Sequence, residues 1–147
     1  MKKNILLSTL GGSPKTVTEM YQALKFEGIP IAEIHLVSTQ KSNPVPPEFQ
    51  EPKTPGTTWH EHISQVTDIR STEDAQEVAN LIFQTLKMLK NRPDVDKLFL
   101  DLTGGRKEMS SYLMVSAQLL CTEEDRLYHV EPNDRTGPLM DSKNKTY

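Results

Sequence analysis

The chain has 147 residues, with 17 basic and 20 acidic side chains, a formal net charge of −3 and a sequence pI near 5.8. That length suits one domain, residues 1–147, with a substantial core. The acidic balance argues against gripping long nucleic acid through a basic face, and the single cysteine excludes an intrachain disulfide or a thiolate metal cluster.

The first apolar run, Ile5–Leu7, is interrupted by Ser8 and Thr9, too soon for the core of a signal peptide. No segment approaches a membrane span, so the expectation is a cytoplasmic protein without a membrane partner. Asn4–Thr9 reads as a first strand. Gly11-Gly12-Ser13 forms a turn, and Pro14 suits the first position of a helix. Val17, Met20, Tyr21 and Leu24 recur at helical spacing to about Phe26, and Gly28 and Pro30 close the helix. Glu33–Ser38 reads as a second strand, which completes a βαβ unit.

Residues 40–58 carry five of the ten prolines and no apolar period, so they read as a loop. The alternation in 62–69 predicts a third strand. Ser71 and Asp74 mark a helix start in capping-box spacing. Ala75, Val78, Ala79, Ile82, Phe83, Leu86 and Leu89 form that helix's apolar face, and Asn91-Arg92-Pro93 ends it. Val95–Leu100 reads as a strand, Ser111–Leu120 as a buried helix and Arg126–Val130 as a last strand. Residues 133–147 are a polar tail. Strands alternating with helices predict an α/β fold with a mostly parallel, Rossmann-like sheet flanked by helices.

The stretch Asp101–Ser110 carries the most chemistry. Gly104 and Gly105 let the backbone approach a ligand closely between a strand and a helix. The unpaired N–H groups at the helix start attract an anion. Arg106 and Lys107 place two cations at the same end, where they oppose the helix dipole. A bound phosphate offsets that cost. The plain alternative is a tight turn with two solvated cations. Gly11, Gly12 and Pro14 form a second turn of this kind, and both turns follow strands. In parallel sheets both would then lie at one carboxyl edge, where such folds bind ligands. Ser8, Thr9 and Thr103 are candidate contacts. Ser13 is either a helix N-cap or a ligand contact, and Asp101 is either a base or a partner for turn amides. The P-loop and the dinucleotide fingerprint are both absent, so no cofactor is expected.

Trp59 and His60 sit at the exit of the proline-rich loop, one able to stack on a base and the other to donate a proton. His60 and His62 have the spacing of a metal pair on a strand, but no third or fourth ligand is visible, and no metal is expected. His129 and Cys121 read as core residues.

Four segments together resemble CRISPR-associated CARF-domain proteins: Leu10–Leu24, Asp68–Asp74, Leu102–Ser110 and Asp125–Val130. The resemblance implies a Rossmann-like homodimer that binds cyclic oligoadenylate, a tetra- or hexa-adenylate ring, across its two-fold axis. Family members often carry a C-terminal ribonuclease with an Arg-x(4–6)-His motif, a spacing this sequence lacks. The tail is too short for such a domain, so the expectation is a stand-alone protein or part of a longer one. Stand-alone members similar to this chain are ring nucleases. That implies metal-independent cleavage with Lys107, Arg106, Ser13 and a loop histidine such as His60 as catalytic candidates. The alternative is a non-enzymatic sensor or sponge.

Overall fold

The computed structural model describes residues 2–11, 15–42, 56–103 and 107–128. Five strands form one parallel sheet: β1 (Lys3–Leu10), β2 (Glu33–Ser38), β3 (Thr58–Ile63), β4 (Val95–Asp101) and β5 (Arg126–Tyr128). Their order is β3-β2-β1-β4-β5. The helices among the described residues are α1 (Lys15–Phe26), α2 (Thr72–Asn91) and α3 (Lys107–Leu120), with a 3₁₀ turn at Gln40–Ser42. The expected Rossmann-like α/β fold is the one observed.

Alternation along the strands decides which helix covers which face. Leu6, Leu10, Ile34, Leu36, Phe99 and Tyr128 bury one face against Val17, Met20, Tyr21 and Leu24 of α1. Ile5, Leu7, Val37, Leu98 and Leu100 bury the other against Val78, Ile82, Leu86 and Leu89 of α2 and Met109, Leu113 and Ala117 of α3. With α1 on one face and α2 and α3 on the other, the chain winds outward from β1 in both directions. The order reverses between β1 and β4, so that pair marks the topological switch point. Each fully buried Leu or Ile contributes about 1.5–3 kcal/mol.

One expectation needs correction. The third strand is Thr58–Ile63, earlier than the alternation in 62–69 suggests. Its apolar residues, Trp59 and Ile63, are only partly buried because β3 is the last strand on its side among the described residues, so apolar periodicity marks it weakly. The chain turns after Ile63, where Ser64 Oγ accepts from the Val66 amide at 3.0 Å. The next residues pair with the 3₁₀ turn instead, Gln40 N to Val66 O and Lys41 N to Thr67 O, both 2.9 Å. Helix α3 begins at Lys107, the helix start expected for the Arg106-Lys107 pair, one turn ahead of the apolar segment from Ser111. The start of α2 is as expected: Ser71 Oγ accepts from the Asp74 amide at 3.1 Å. The Asp74 carboxylate reaches back to the Arg70 amide at 3.0 Å, one residue before the position that a capping box uses.

Candidate functional site

The two glycine-rich turns leave neighbouring strands. β1 ends at Leu10 and α1 begins at Lys15, while β4 ends at Asp101 and α3 begins at Lys107. Ser8 of β1 pairs with Asp101 of β4, so both turns depart from the carboxyl edge at the switch point. Gly12, Ser13, Pro14, Gly104, Gly105 and Arg106 lie outside the described residues.

Around those turns the described residues form a fastened base. Asp101 is fully buried, accepts from Ser8 Oγ at 3.1 Å and accepts from the Thr103 amide at 2.8 Å. Asp101 therefore binds a turn amide, the plainer of its two expected roles. Ser110 Oγ in the first turn of α3 donates to Leu102 O at 2.9 Å. The Leu102 amide donates to Tyr128 O at 2.8 Å, which ties the turn to β5. Lys107 is exposed at the first position of α3. Gly11, just past the end of β1, is half-buried, whereas Ser8 and Thr9 are buried. The Ser8 hydroxyl is used between strands, donating to Asp101 and approaching Thr9 O at 3.2 Å.

Trp59 and His60 stand elsewhere. Both are on β3, two strands from β1, a separation of about 10 Å across the sheet. His60 pairs with His35, which pairs with Leu7, three residues short of the end of β1. Trp59 packs against the core on the α1 face. Both therefore stand apart from the ends of β1 and β4, from which the glycine turns leave.

His60 belongs instead to a polar cluster on the α2 face of β2 and β3. Glu33 and His35 of β2 pair with Thr58 and His60 of β3, and Val37 pairs with His62. Glu33 Oε1 and Oε2 each accept from Arg92 at 2.8 Å, and Lys3 Nζ meets Oε2 at 3.2 Å. The Arg92 guanidinium holds the Glu33 carboxyl far below the ordinary range, although burial opposes this. An ionised Glu33 can only accept, so His35 Nε2–H donates to Oε1 across 2.8 Å. Burial pushes the pKa of His35 down, against the pull of Glu33, and leaves the ring neutral. His35 Nδ1 is then an acceptor, and His62 Nε2–H donates to it at 2.8 Å. His62 falls to about 4, first through burial and then through the neighbouring histidines. The His60 ring stacks on His35 with centroids 4.6 Å apart. Its Nε2 lies 2.9 Å from Thr58 Oγ1 and 3.8 Å from Glu33 Oε1.

The sequence shows His60 and His62 as a pair without further ligands. Glu33 and His35 are the partners that it hides. The parallel register supplies them from 27 residues away.

Residues 53–146 match a family model described as CRISPR-associated protein NE0113. Among solved structures, Enterococcus italicus Csm6 bound to cyclic hexa-2′-fluoro-hexa-dAMP is similar at 14% identity, with a TM-score of 0.65. That alignment covers 94% of this chain and 36% of the Csm6 chain, so this chain spans about a third of that protein. The C-terminal domain of a Pyrococcus furiosus hydrogenase is similar at 12% identity and a TM-score of 0.59, over 88% of this chain and 93% of that one. Phytolacca americana UGT2, complexed with UDP-2-fluoro-glucose and pterostilbene, matches at 12% identity and a TM-score of 0.54, over 88% of this chain and 31% of its own. At these identities the structures share the fold alone. No curated protein sequence matches the chain significantly.

Proposed function

The chain belongs to the CRISPR-associated protein NE0113 family, and from that membership we propose that it binds a cyclic oligoadenylate and opens the ring. One observation carries the reading: the turns after β1 and β4 leave adjacent strands at the switch point, the place where this fold receives ligands. Csm6, a protein of the same fold, has been captured with a cyclic hexanucleotide analogue, which supports the ligand class.

In the proposed reaction, a ribose 2′-OH attacks the adjacent 3′-phosphate. The P–O bond to the 5′-oxygen breaks, the 2′ proton is lost, and the 5′-oxygen leaves with a proton. The product is a linear oligoadenylate with a 2′,3′-cyclic phosphate. Nucleophile and phosphate belong to one molecule, so the protein's main task is to hold the in-line geometry. Lys107, Arg106 and the Gly104 and Gly105 amides stabilise the charge on the phosphoryl oxygens. Ser13 positions the ribose hydroxyl. Gly11, Gly12, Pro14 and Thr103 line the ring, while Ser8 acts through Asp101 to hold the Thr103 turn. His60 and Trp59 are left out because of their place on β3. Two rings of turns, one from each protomer of a homodimer, enclose the ligand. Val115 and Leu119, one turn apart on α3 and 56% and 70% exposed, supply an apolar stripe for that association.

The sensor reading has its own support. Asp101, the carboxylate nearest the turns in the sheet, has its two oxygens occupied by Ser8 and Thr103. It is not poised as a base. Incubation of pure protein with cyclic tetra- and hexa-adenylate in excess EDTA separates the readings. Linear products with cyclic phosphate ends, lost in Lys107→Ala, are the expected result. Tight binding without cleavage makes the protein a sensor or sponge. Failure to bind either ring overturns the proposal.

A further inference from the structure

We propose that Glu33, His35 and His60 form a binding site for a divalent cation of the zinc class, with His62 and Arg92 orienting the ligands. The site lies on β2 and β3, apart from the glycine turns, and does not depend on the ring-binding reading.

The ligand atoms are already gathered, and closure requires the His60 ring, stacked on His35 with planes 11° apart, to turn until its Nε2 lone pair meets the ion in the ring plane. One ligand atom from each residue lies within 4.8 Å of the other two. His35 Nε2 and His60 Nε2 stand 2.8 Å and 3.8 Å from Glu33 Oε1. Tetrahedral bonds of about 2.0–2.1 Å place ligand atoms roughly 3.3 Å apart. One separation is therefore somewhat short and the other somewhat long. Two imidazole nitrogens and a carboxylate oxygen suit zinc or cobalt, whereas magnesium and calcium demand oxygen. His35 is 3% exposed at the floor of the cluster. His60, whose side chain is 43% exposed, gives an entry path and leaves a fourth position for water.

The surroundings match what such a site requires. Ligating histidines donate their second N–H to a neighbour, which fixes the tautomer. When the metal takes His35 Nε2, the His35 proton moves to Nδ1 and donates to His62 Nε2. The His62 proton moves to Nδ1 in turn. Both rings are neutral before and after, so the exchange balances. Thr58 Oγ1 gives up its contact with His60 Nε2. The metal replaces the His35 proton at Oε1, which also accepts from Arg92 Nη1 at 2.8 Å, while Arg92 Nη2 and Lys3 continue to hold Oε2. Those two cations weaken Glu33 as a donor, so the imidazoles carry most of the affinity and the stacked His60 decides it.

The test uses the full chain, stripped with chelator and titrated with zinc chloride alone by calorimetry, then with cobalt chloride by visible absorption. The expected result is one zinc per chain, a tetrahedral cobalt spectrum and a rise in melting temperature with zinc. His60→Ala, at an accessible position, is expected to weaken zinc binding at least about tenfold, and His62→Asn to weaken it less. Absence of zinc binding overturns the proposal. Binding that survives both His60→Ala and His35→Gln also overturns it, because the metal is then held elsewhere. No oligoadenylate enters the experiment, so its failure leaves the ring reading untouched, and the reverse holds as well.

Discussion

The buried carboxylate of Asp101 offers the sharpest test of how the β4 turn is held. Asp101→Ala removes the acceptor for the Thr103 amide, now at 2.8 Å, and for Ser8 Oγ, at 3.1 Å. A hydrogen bond to a charged group contributes about 1.5–3 kcal/mol. The Ser8 hydroxyl keeps its contact with Thr9 O, so its loss sits at the low end. Together the two changes predict a destabilisation of about 3–4 kcal/mol. In Asp101→Asn the side-chain oxygen still accepts from Thr103, and the new amide donates to Ser8 Oγ. The expected cost is then about 1–2 kcal/mol. Urea unfolding measures both, with the denaturant slope checked for constancy. Ring cleavage supplies a second readout. As a positioning residue, Asp101→Asn keeps the rate within about threefold, whereas loss of a general base lowers it by 10²-fold or more, roughly. An Asp101→Ala protein within about 1 kcal/mol of the wild type refutes the claim that these bonds hold the turn.

Four further expectations follow from single residues. Lys107→Ala is expected to slow ring cleavage about 10²-fold with a smaller loss of affinity, and unchanged cleavage rates would remove Lys107 from the mechanism. Ser71→Ala deletes the N-cap bond of α2 and is expected to cost about 1 kcal/mol in a denaturant melt, with Ser71→Thr close to neutral. His62 is held neutral, its pKa depressed from 6.5 to about 4, so the unfolded chain binds the extra proton first. Stability measured in EDTA is therefore full above pH 6.5 and falls between 6.5 and about 4; His62→Asn is expected to flatten that slope. Glu33, depressed from 4.5, adds a further loss below that value. Cys121 is pushed up to about 12 by burial and by the Asp125 carboxylate, so thiol reagents at pH 8 are expected to label it only in the unfolded protein.

Local signals explain which parts of the fold were legible in the sequence. Val17, Met20, Tyr21 and Leu24 all bury against the sheet because a helical period survives any change of neighbour. β2 reads without ambiguity as Glu33–Ser38, since Gly28, Pro30 and the proline-rich stretch bracket it. β3 is hidden for the opposite reason. An edge strand in this sheet needs only a partial apolar face, and Thr58–Ile63 alternates histidines with Trp59, Glu61 and Ile63. The alternating apolar residues downstream give a stronger signal, yet Ser64 breaks the extended chain there. The start of α3 at Lys107 is legible from the Gly104-Gly105 turn and not from apolar period, because Lys107 and Glu108 are exposed.

The two polar sites differ in legibility because sequence distance enters them differently. The glycine turns are contiguous segments, and the rule that parallel strands share a carboxyl edge places them together before any coordinate is known. The cluster around Glu33 depends instead on register. His35 faces His60 only because β2 and β3 pair Glu33 with Thr58. A slip of one residue would turn the β3 histidines to the α1 face, where Trp59 now packs. The same register places Arg92, the cap of α2, against a carboxylate 59 residues away, and that pairing keeps Glu33 ionised beside the neutral His35. A strand whose outward pattern is nearly featureless is thus specified by its polar contacts. Exchanging His60 and Trp59 tests this directly. It conserves composition while reversing which side chain each face receives. If polar register selects the pairing, the double variant loses more stability than His60→Ala and Trp59→Ala lose in sum. Additivity would mean that the apolar contacts of β2 alone seat the strand.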